Sequence, residues 1–190
     1  MCCNSNTLMI DETRPLFWGY SITNRGQVIA PNGNVLKQTP NNKGYKQVTL
    51  SCAWSSRKYL VSRLVAHVFC WNPRPDIFNM ADHIDRDHTH NVFSNIRWVD
   101  RKLNALNRTA KGASFNKKYQ KWCSRVCGKT LGWYKTFEEA HAVSNKHREE
   151  LFNALYKKYV CDVRAVWPNT KPKSSICFSE TSARYPMMSC

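Results

Sequence analysis

Acidic residues are scarce in this chain. Thirteen Asp and Glu stand against 29 Lys and Arg in 190 residues, a formal net charge of +16. A surplus of that sign argues for a polyanionic partner and leaves the fold open. Nucleic acid is the first candidate and an anionic membrane surface the second. Long apolar runs are missing too. None approaches the roughly 20 residues of a spanning helix, and the basic residues do not share one face of an apolar helix, so a membrane role is disfavoured. The first residues, Met1 to Asn6, form neither a charged n-region nor an apolar h-region, and no secretory signal is read there. A regular cysteine framework is absent as well. The nine Cys (2, 3, 52, 70, 123, 127, 161, 177 and 190) are odd in number and irregularly spaced. That favours reduced thiols in an intracellular setting over a disulfide scaffold. Cys123-x3-Cys127 is half a zinc spacing, but its other half would have to come from Cys161 and Cys177. Isolated thiols are the better reading. No internal repeat is visible.

What is present reads as α+β, with several small modules in one chain. Residues 1–15 carry no periodicity and are expected to be a flexible tail. Short strands follow around Trp18 to Ile22 and Gln27 to Ile29. Asn32-Gly33 is a hairpin signal that accepts positive φ at both turn positions. Residues 44–50 alternate with period two, and residues 57–61 read as a further strand. Together they predict one small antiparallel sheet. Ser62 is expected to cap a helix carrying Leu64, Val65, Val68 and Phe69 on one face. Residues 79–85 and 95–99 read as two strands and 100–107 as a short helix, a ββα order. Between Arg101 and Phe137 there are ten Lys or Arg and no acid. The apolar pattern there is again strand-like. Thr136-x-x-Glu139 matches a capping box, and the helix after it is expected to end near Tyr159. Residues 161–190 are rich in Pro, Ser and Lys and read as a second flexible tail.

Chemistry concentrates in residues 80–108. Hydrolysis of a phosphodiester needs a base for the attacking water, neutralisation of charge on the phosphorane, and stabilisation of the leaving oxygen. A histidine with a near-neutral pKa can serve the first and a divalent cation the other two. A hard cation takes oxygen ligands, one or two of them from protein. Asp82 offers a carboxylate, Asn104 a carboxamide, and His83 an adjacent imidazole. Asn95, twelve residues after His83, can hydrogen-bond across the hairpin and fix the His83 loop. Neighbouring residues in a strand face opposite ways, so Asp82 and His83 meet at one site only if the strand twists or ends between them. His88 and His90 read as solvated loop residues first and spare DNA contacts second.

These residues resemble the HNH homing endonucleases, the ββα-metal nucleases. The likeness lies in Asp82-His83-Ile84-Asp85, Asn91, Asn95-Ile96-Arg97-Trp98-Val99, Asn104 and Asn107, and in the preceding Val61-Ser62-Arg63-Leu64-Val65 to Phe69 stretch. Ser62 and Arg86 replace residues common in the family, a His and a turn Gly. The resemblance implies that His83 is the general base, oriented by Asn95. It makes Asp82 and Asn104 ligands of one Mg²⁺ (or Mn²⁺) per active site, and Arg97 a phosphate contact. Asn91 and Asn107 become loop and helix supports or DNA contacts.

Residues 18–50 resemble the small module found ahead of such nucleases. Residues 112–157 resemble the DNA-binding domain of plant ethylene-response factors, a three-stranded sheet backed by a helix. Gly112, Ser114-Phe115, Lys121-Trp122, residues 131–134 and 136–140 carry that likeness. It implies a DNA-facing set of Lys117, Lys118, Lys121, Trp122, Arg125 and Lys129. Trp122 packed on the helix is the competing reading.

The expected division is an N-terminal β module (16–55), a nuclease core (56–110) and a sheet–helix DNA-binding domain (111–160). The expected activity is metal-dependent cleavage of double-stranded DNA to 5′-phosphate and 3′-hydroxyl ends. It needs no membrane and no obligatory protein partner, and it acts in the cytoplasm of a phage- or virus-infected cell or in a nucleus. The rival is a catalytically inactive, sequence-specific DNA-binding protein on the same fold. A basic RNA-binding protein fits the charge but leaves the four-residue site unexplained.

Overall fold

The structure is a computed structural model. It describes residues 11–108 and 110–166, the last six by backbone alone. Most of the two expected tails, residues 1–10 and 167–190, lies outside the described residues.

The N-terminal part forms two small antiparallel sheets rather than the single one expected. The first pairs β1 (Thr13–Pro15), β2 (Ser21–Thr23) and β3 (Val28–Ile29). The second pairs β4 (Thr39–Pro40), β5 (Lys46–Cys52) and β6 (Ser55–Leu60). Trp18 lies in a 3₁₀ turn, Phe17–Gly19, and not in a strand. The turns over residues 23–27, 30–34 and 41–45 share one construction. In each, the first N–H donates to the fifth carbonyl and a glycine N–H at the fourth position donates back to the first carbonyl. The three glycines have φ of 82°, 84° and 83°. This is a three-residue loop, a type I turn closed by a left-handed residue. At 30–34 the turn centres on Pro31-Asn32 instead of the expected Asn32-Gly33. Proline locks φ near −65°, which suits the first central position of a type I turn.

Alternation in β5 buries Val48 and Leu50. β6 runs directly into α1 (Val61–Phe69), whose N-cap is Leu60 without a side-chain cap. Ser62 is buried inside the helix, so the expected Ser62 cap is corrected. Val61, Leu64, Val65 and Ala66 are the buried face.

β7 (Met80–His83) and β8 (Ile96–Val99) pair antiparallel, and α2 (Arg101–Leu106) follows, giving the ββα order. Asp100 caps α2, accepting from the Leu103 N–H at 2.7 Å. Trp98 ties this unit to α1, its indole N–H donating to the Ala66 and Cys70 carbonyls at 3.1 and 3.2 Å. The Ala66 carbonyl also takes the last helical bond, from the Cys70 N–H at 3.1 Å, and the Cys70 carbonyl lies beyond the helix end.

β9 (Ala113–Asn116), β10 (Lys121–Val126) and β11 (Lys129–Tyr134) form a third sheet in the order β11-β10-β9. The capping box opens α3 (Phe137–Val166), with reciprocal bonds between Thr136 and Glu139. The helix runs to Val166, past the end expected near Tyr159. Its first half covers the third sheet, where Ala140 and Ser144 are fully buried. Its second half joins the main core. Tyr156 stacks on Phe78 at 5.7 Å, Tyr159 meets Phe78 edge-on at 5.6 Å, and Phe152 is buried among the core residues of the other elements. Among the described residues, no helix is long and apolar enough to cross a membrane.

Candidate active site

Asp82 and His83 are consecutive paired residues at the end of β7, opposite Arg97 and Ile96, and the Asp82 charge acts on the His83 ring. The chain turns at once, with the Ile84 N–H donating to the Asn95 carbonyl at 2.9 Å and the Arg86 N–H to the His83 carbonyl at 3.1 Å. Arg86 takes the left-handed conformation (φ 68°) that a glycine adopts without strain. Asp82 and His83 are both buried, 7% and 3% exposed. Asn107, at the C-cap of α2, straddles the pair. Its Nδ2 donates to both Asp82 carboxylate oxygens at 3.1 and 2.9 Å and to the His83 carbonyl at 2.7 Å. Its Oδ1 accepts from Arg86 Nε at 3.4 Å. Arg97 stands opposite Asp82 across the hairpin and pairs with Oδ2 through Nε and Nη2, each at 3.0 Å. The Arg97 guanidinium also lies 3.8 Å from the centre of the Phe152 ring, so α3 closes over the ion pair.

His83 Nε2 meets Asn91 Oδ1 at 3.0 Å. The Asn91 amide is oriented by its own Nδ2, which donates to the Thr89 carbonyl at 3.3 Å. An amide oxygen only accepts, so the neutral ring carries its proton on Nε2 and keeps a lone pair on Nδ1. Burial holds the His83 pKa below the ordinary 6.5, against an opposing pull from the Asn91 bond. The ring is therefore neutral at neutral pH.

Asn95 holds the loop rather than the ring. Its Oδ1 accepts from the Asp85 N–H at 3.1 Å, and its Nδ2 donates to Asp85 Oδ1 and the His90 carbonyl, both at 2.9 Å. His90 Nδ1 donates to Asp85 Oδ2 at 2.6 Å. Burial alone would raise the Asp85 pKa, but hydrogen bonds from His90, Asn95 and the Asp87 N–H bring it down to about 2. His88 stacks on Tyr45 at 4.0 Å and donates from Nδ1 to the Lys43 carbonyl at 3.2 Å. Tyr45 in turn lies 5.9 Å from the His83 ring, its phenol pKa raised by burial and by the Asp82 charge. Neither loop histidine is merely solvated.

The expected residues thus separate. Asp82 and His83 come together. Asn104 is half-buried on α2, one turn before Asn107, and its side chain makes no hydrogen bond among the described residues. Arg97 is drawn inward to Asp82 and Phe152. Lys117, Lys118, Lys121, Arg125 and Lys129 are exposed on the third sheet and its turns. Trp122 is half-buried between Phe115 (5.3 Å) and Phe137 (5.1 Å), as the helix-packing reading had it. Asn91, Asn107 and Tyr45 sit closer to the chemistry than the sequence suggested. Asn91 and Asn107 stand inside the motif and signalled only support roles. Tyr45 gave no local signal.

Over 94 residues the chain is 31% identical to DNA endonuclease I-HmuI of Bacillus phage SP01, covering 49% of this chain and 53% of that protein. It is 32% identical over 109 residues to an uncharacterized HNH endonuclease, L245, of Acanthamoeba polyphaga mimivirus, covering 56% of this chain and 32% of that one. This chain is similar to these HNH endonucleases. It spans about half the length of the phage enzyme and about a third of the mimivirus protein. A solved structure on DNA binding and cleavage by the HNH homing endonuclease I-HmuI aligns with a TM-score of 0.48 at 28% identity. The alignment covers 57% of this chain and 64% of that one. No family model matches the chain. The likeness of residues 112–157 to the ethylene-response-factor domain finds no counterpart in these relatives' names.

Proposed function

We propose that this HNH relative is a metal-dependent endonuclease that cuts double-stranded DNA to 5′-phosphate and 3′-hydroxyl ends. The observation that carries the reading is the state of His83: buried, neutral, with Nε2 occupied by Asn91 and the Nδ1 lone pair left to take a proton from water. Asn95 keeps the loop in place and so serves as a positioning residue for His83.

The donor set suits one Mg²⁺ (or Mn²⁺), which takes oxygen ligands and completes its shell with water and phosphate. Asp82 Oδ2 already accepts from Asn107 and twice from Arg97, whereas Oδ1 accepts only from Asn107. Oδ1 therefore has a lone pair to give. The Asn104 carboxamide, one helical turn from Asn107 on the same face, supplies the second oxygen. Bound there, the cation would neutralise phosphate charge and stabilise the leaving oxygen. Arg97 fixes the Asp82 carboxylate and retains three N–H groups for a phosphate.

The C-terminal sheet, with Lys117, Lys118, Lys121, Arg125 and Lys129 exposed and Trp122 buttressing it, is the proposed DNA-binding surface. Its three strands backed by a helix are the build that the sequence resemblance to the ethylene-response-factor domain implies. A phage and a giant virus as sources of the relatives fit a nuclease acting inside an infected cell.

The test is a supercoiled-plasmid assay with Mg²⁺ or Mn²⁺, beside His83→Ala. The variant is expected to lose nicking by at least about 10²-fold, the usual share of a general base, and to keep its gel shift. No nicking by the parent on any sequence would leave the catalytically inactive DNA-binding protein as the function.

A further inference from the structure

A second cationic feature begins where the active site ends. Arg108 follows Asn107, the residue that holds Asp82. With Lys102 of α2, Arg125 of β10 and Arg148 of α3 it lines an open cleft of about 500 Å³, floored by the Gly112 and Gly128 backbone. No carboxylate lines the cleft. None of the four cations pairs with an acid among the described residues. Arg148 is fixed at the cleft wall by bonds to the Ala110 carbonyl (3.3 Å) and Asn145 Oδ1 (3.4 Å). Gly112 permits this closeness. A Cβ there would come within 2.0 Å of Ser144 Oγ and 2.9 Å of Arg148 Nη2. Burial and the nearby Arg108 and Arg86 charges lower the Arg148 pKa. Like charges thus crowd together with no counter-charge from the protein, an arrangement that an anion would relieve.

We infer that this cleft holds consecutive phosphates of the DNA strand leaving the active site, carrying it from Asp82 and His83 across α2 to the C-terminal sheet. The cleft joins the two surfaces end to end, with Arg108 beside the active site and Arg125 on the sheet. A nucleic-acid backbone fits because four cations from three elements line one open cleft with no carboxylate among them. The inference rests on the nuclease reading above and adds a path to it.

The experiment measures duplex binding by fluorescence anisotropy in EDTA across a salt series, for the parent and for Lys102→Ala/Arg108→Ala, both exposed positions. The parent's log affinity should fall linearly with log salt, and the double variant should lose about two units of that slope, roughly 0.9 per phosphate contact. At about 0.1 M salt its affinity should drop tenfold or more. In the nicking assay KM for DNA should rise while kcat stays within about twofold. Arg148→Lys, which keeps the charge, should keep the slope. A folded double variant with the parent's slope and affinity overturns the cleft and leaves the nuclease standing. A parent that never nicks, with the double variant still losing slope and affinity, supports the cleft as a phosphate site and overturns the nuclease. A parent that does not bind duplex DNA overturns both.

Discussion

The smallest unit that matters here is the His83–Asn91 pair. The site needs the neutral ring, so activity should rise with pH through the His83 pKa. Burial places that midpoint below 6.5. The Asn91 carbonyl favours the protonated ring. Asn91→Ala should therefore move the acidic limb of kcat/KM to lower pH, while misorientation lowers kcat roughly tenfold or more, part of the 10²–10⁴ a general base gives. A pH–rate profile checks both, and an unmoved limb would reduce Asn91 to a structural part. Stability follows the same sign. With the folded pKa depressed, the His83 contribution is complete above 6.5 and is lost as pH falls toward the folded value. The spacing of Asp82, His83, Asn95 and Asn104 was legible in the sequence. Which asparagine reaches the ring was not. Asn91 and Asn95 both lie in the loop, and only its folded path gives one the imidazole and the other the backbone. The surroundings of Arg97 are hidden from the sequence for another reason. Its ring partner, Phe152, is 55 residues away and belongs to a helix read as serving a different sheet.

Among the elements, the hairpin over residues 23–27 bears most directly on the site. The Phe93 N–H donates to the Asn24 carbonyl at 2.8 Å, which docks the turn on the active-site loop. Gly26 sits in the contact. A Cβ there would meet the Asn91 carbonyl oxygen at 2.8 Å and the Asn91 Cβ at 2.9 Å, from a residue already at φ 82°. Gly26→Ala should cost about 1–3 kcal/mol in urea unfolding, the range for a left-handed non-glycine residue. It should also slow nicking with little change in KM for DNA, because the displaced residue is Asn91. Loss of stability with full activity would show that the loop absorbs the shift. The Asn24-Arg25-Gly26 turn itself could be read from sequence, since glycine punctuates it. What it docks against could not, because the partner loop lies more than sixty residues on. The same limit explains Ser62. Its residue type signals a cap, but the strand before it leads into the helix without a break and carries it inside.

For the molecule as a whole, α3 is the member that sequence described least well. Its apolar stripe was visible, but a stripe does not name its partner, and the helix packs on two. Ala140 and Ser144 lie under the third sheet, and Phe152, Tyr156 and Tyr159 lie on the main core. The strongly basic composition points to a polyanion, and the proposed cleft is one route by which that charge would be used along the molecule.

The continuity of α3 makes it a ruler. Ala140 and Phe152 are twelve residues apart on one unbroken helix, about 18 Å along its axis. That corresponds to roughly five base pairs of duplex rise. A stiff rod between the proposed DNA-binding surface and the proposed cutting site sets a fixed stride. On substrates of differing sequence, the nick should fall at a constant distance from the edge of the protected footprint, even where the bases at the cut differ. Footprinting and end-mapping on the same duplexes measure that distance, and a wandering offset would mean that the rod does not transmit its length to the DNA.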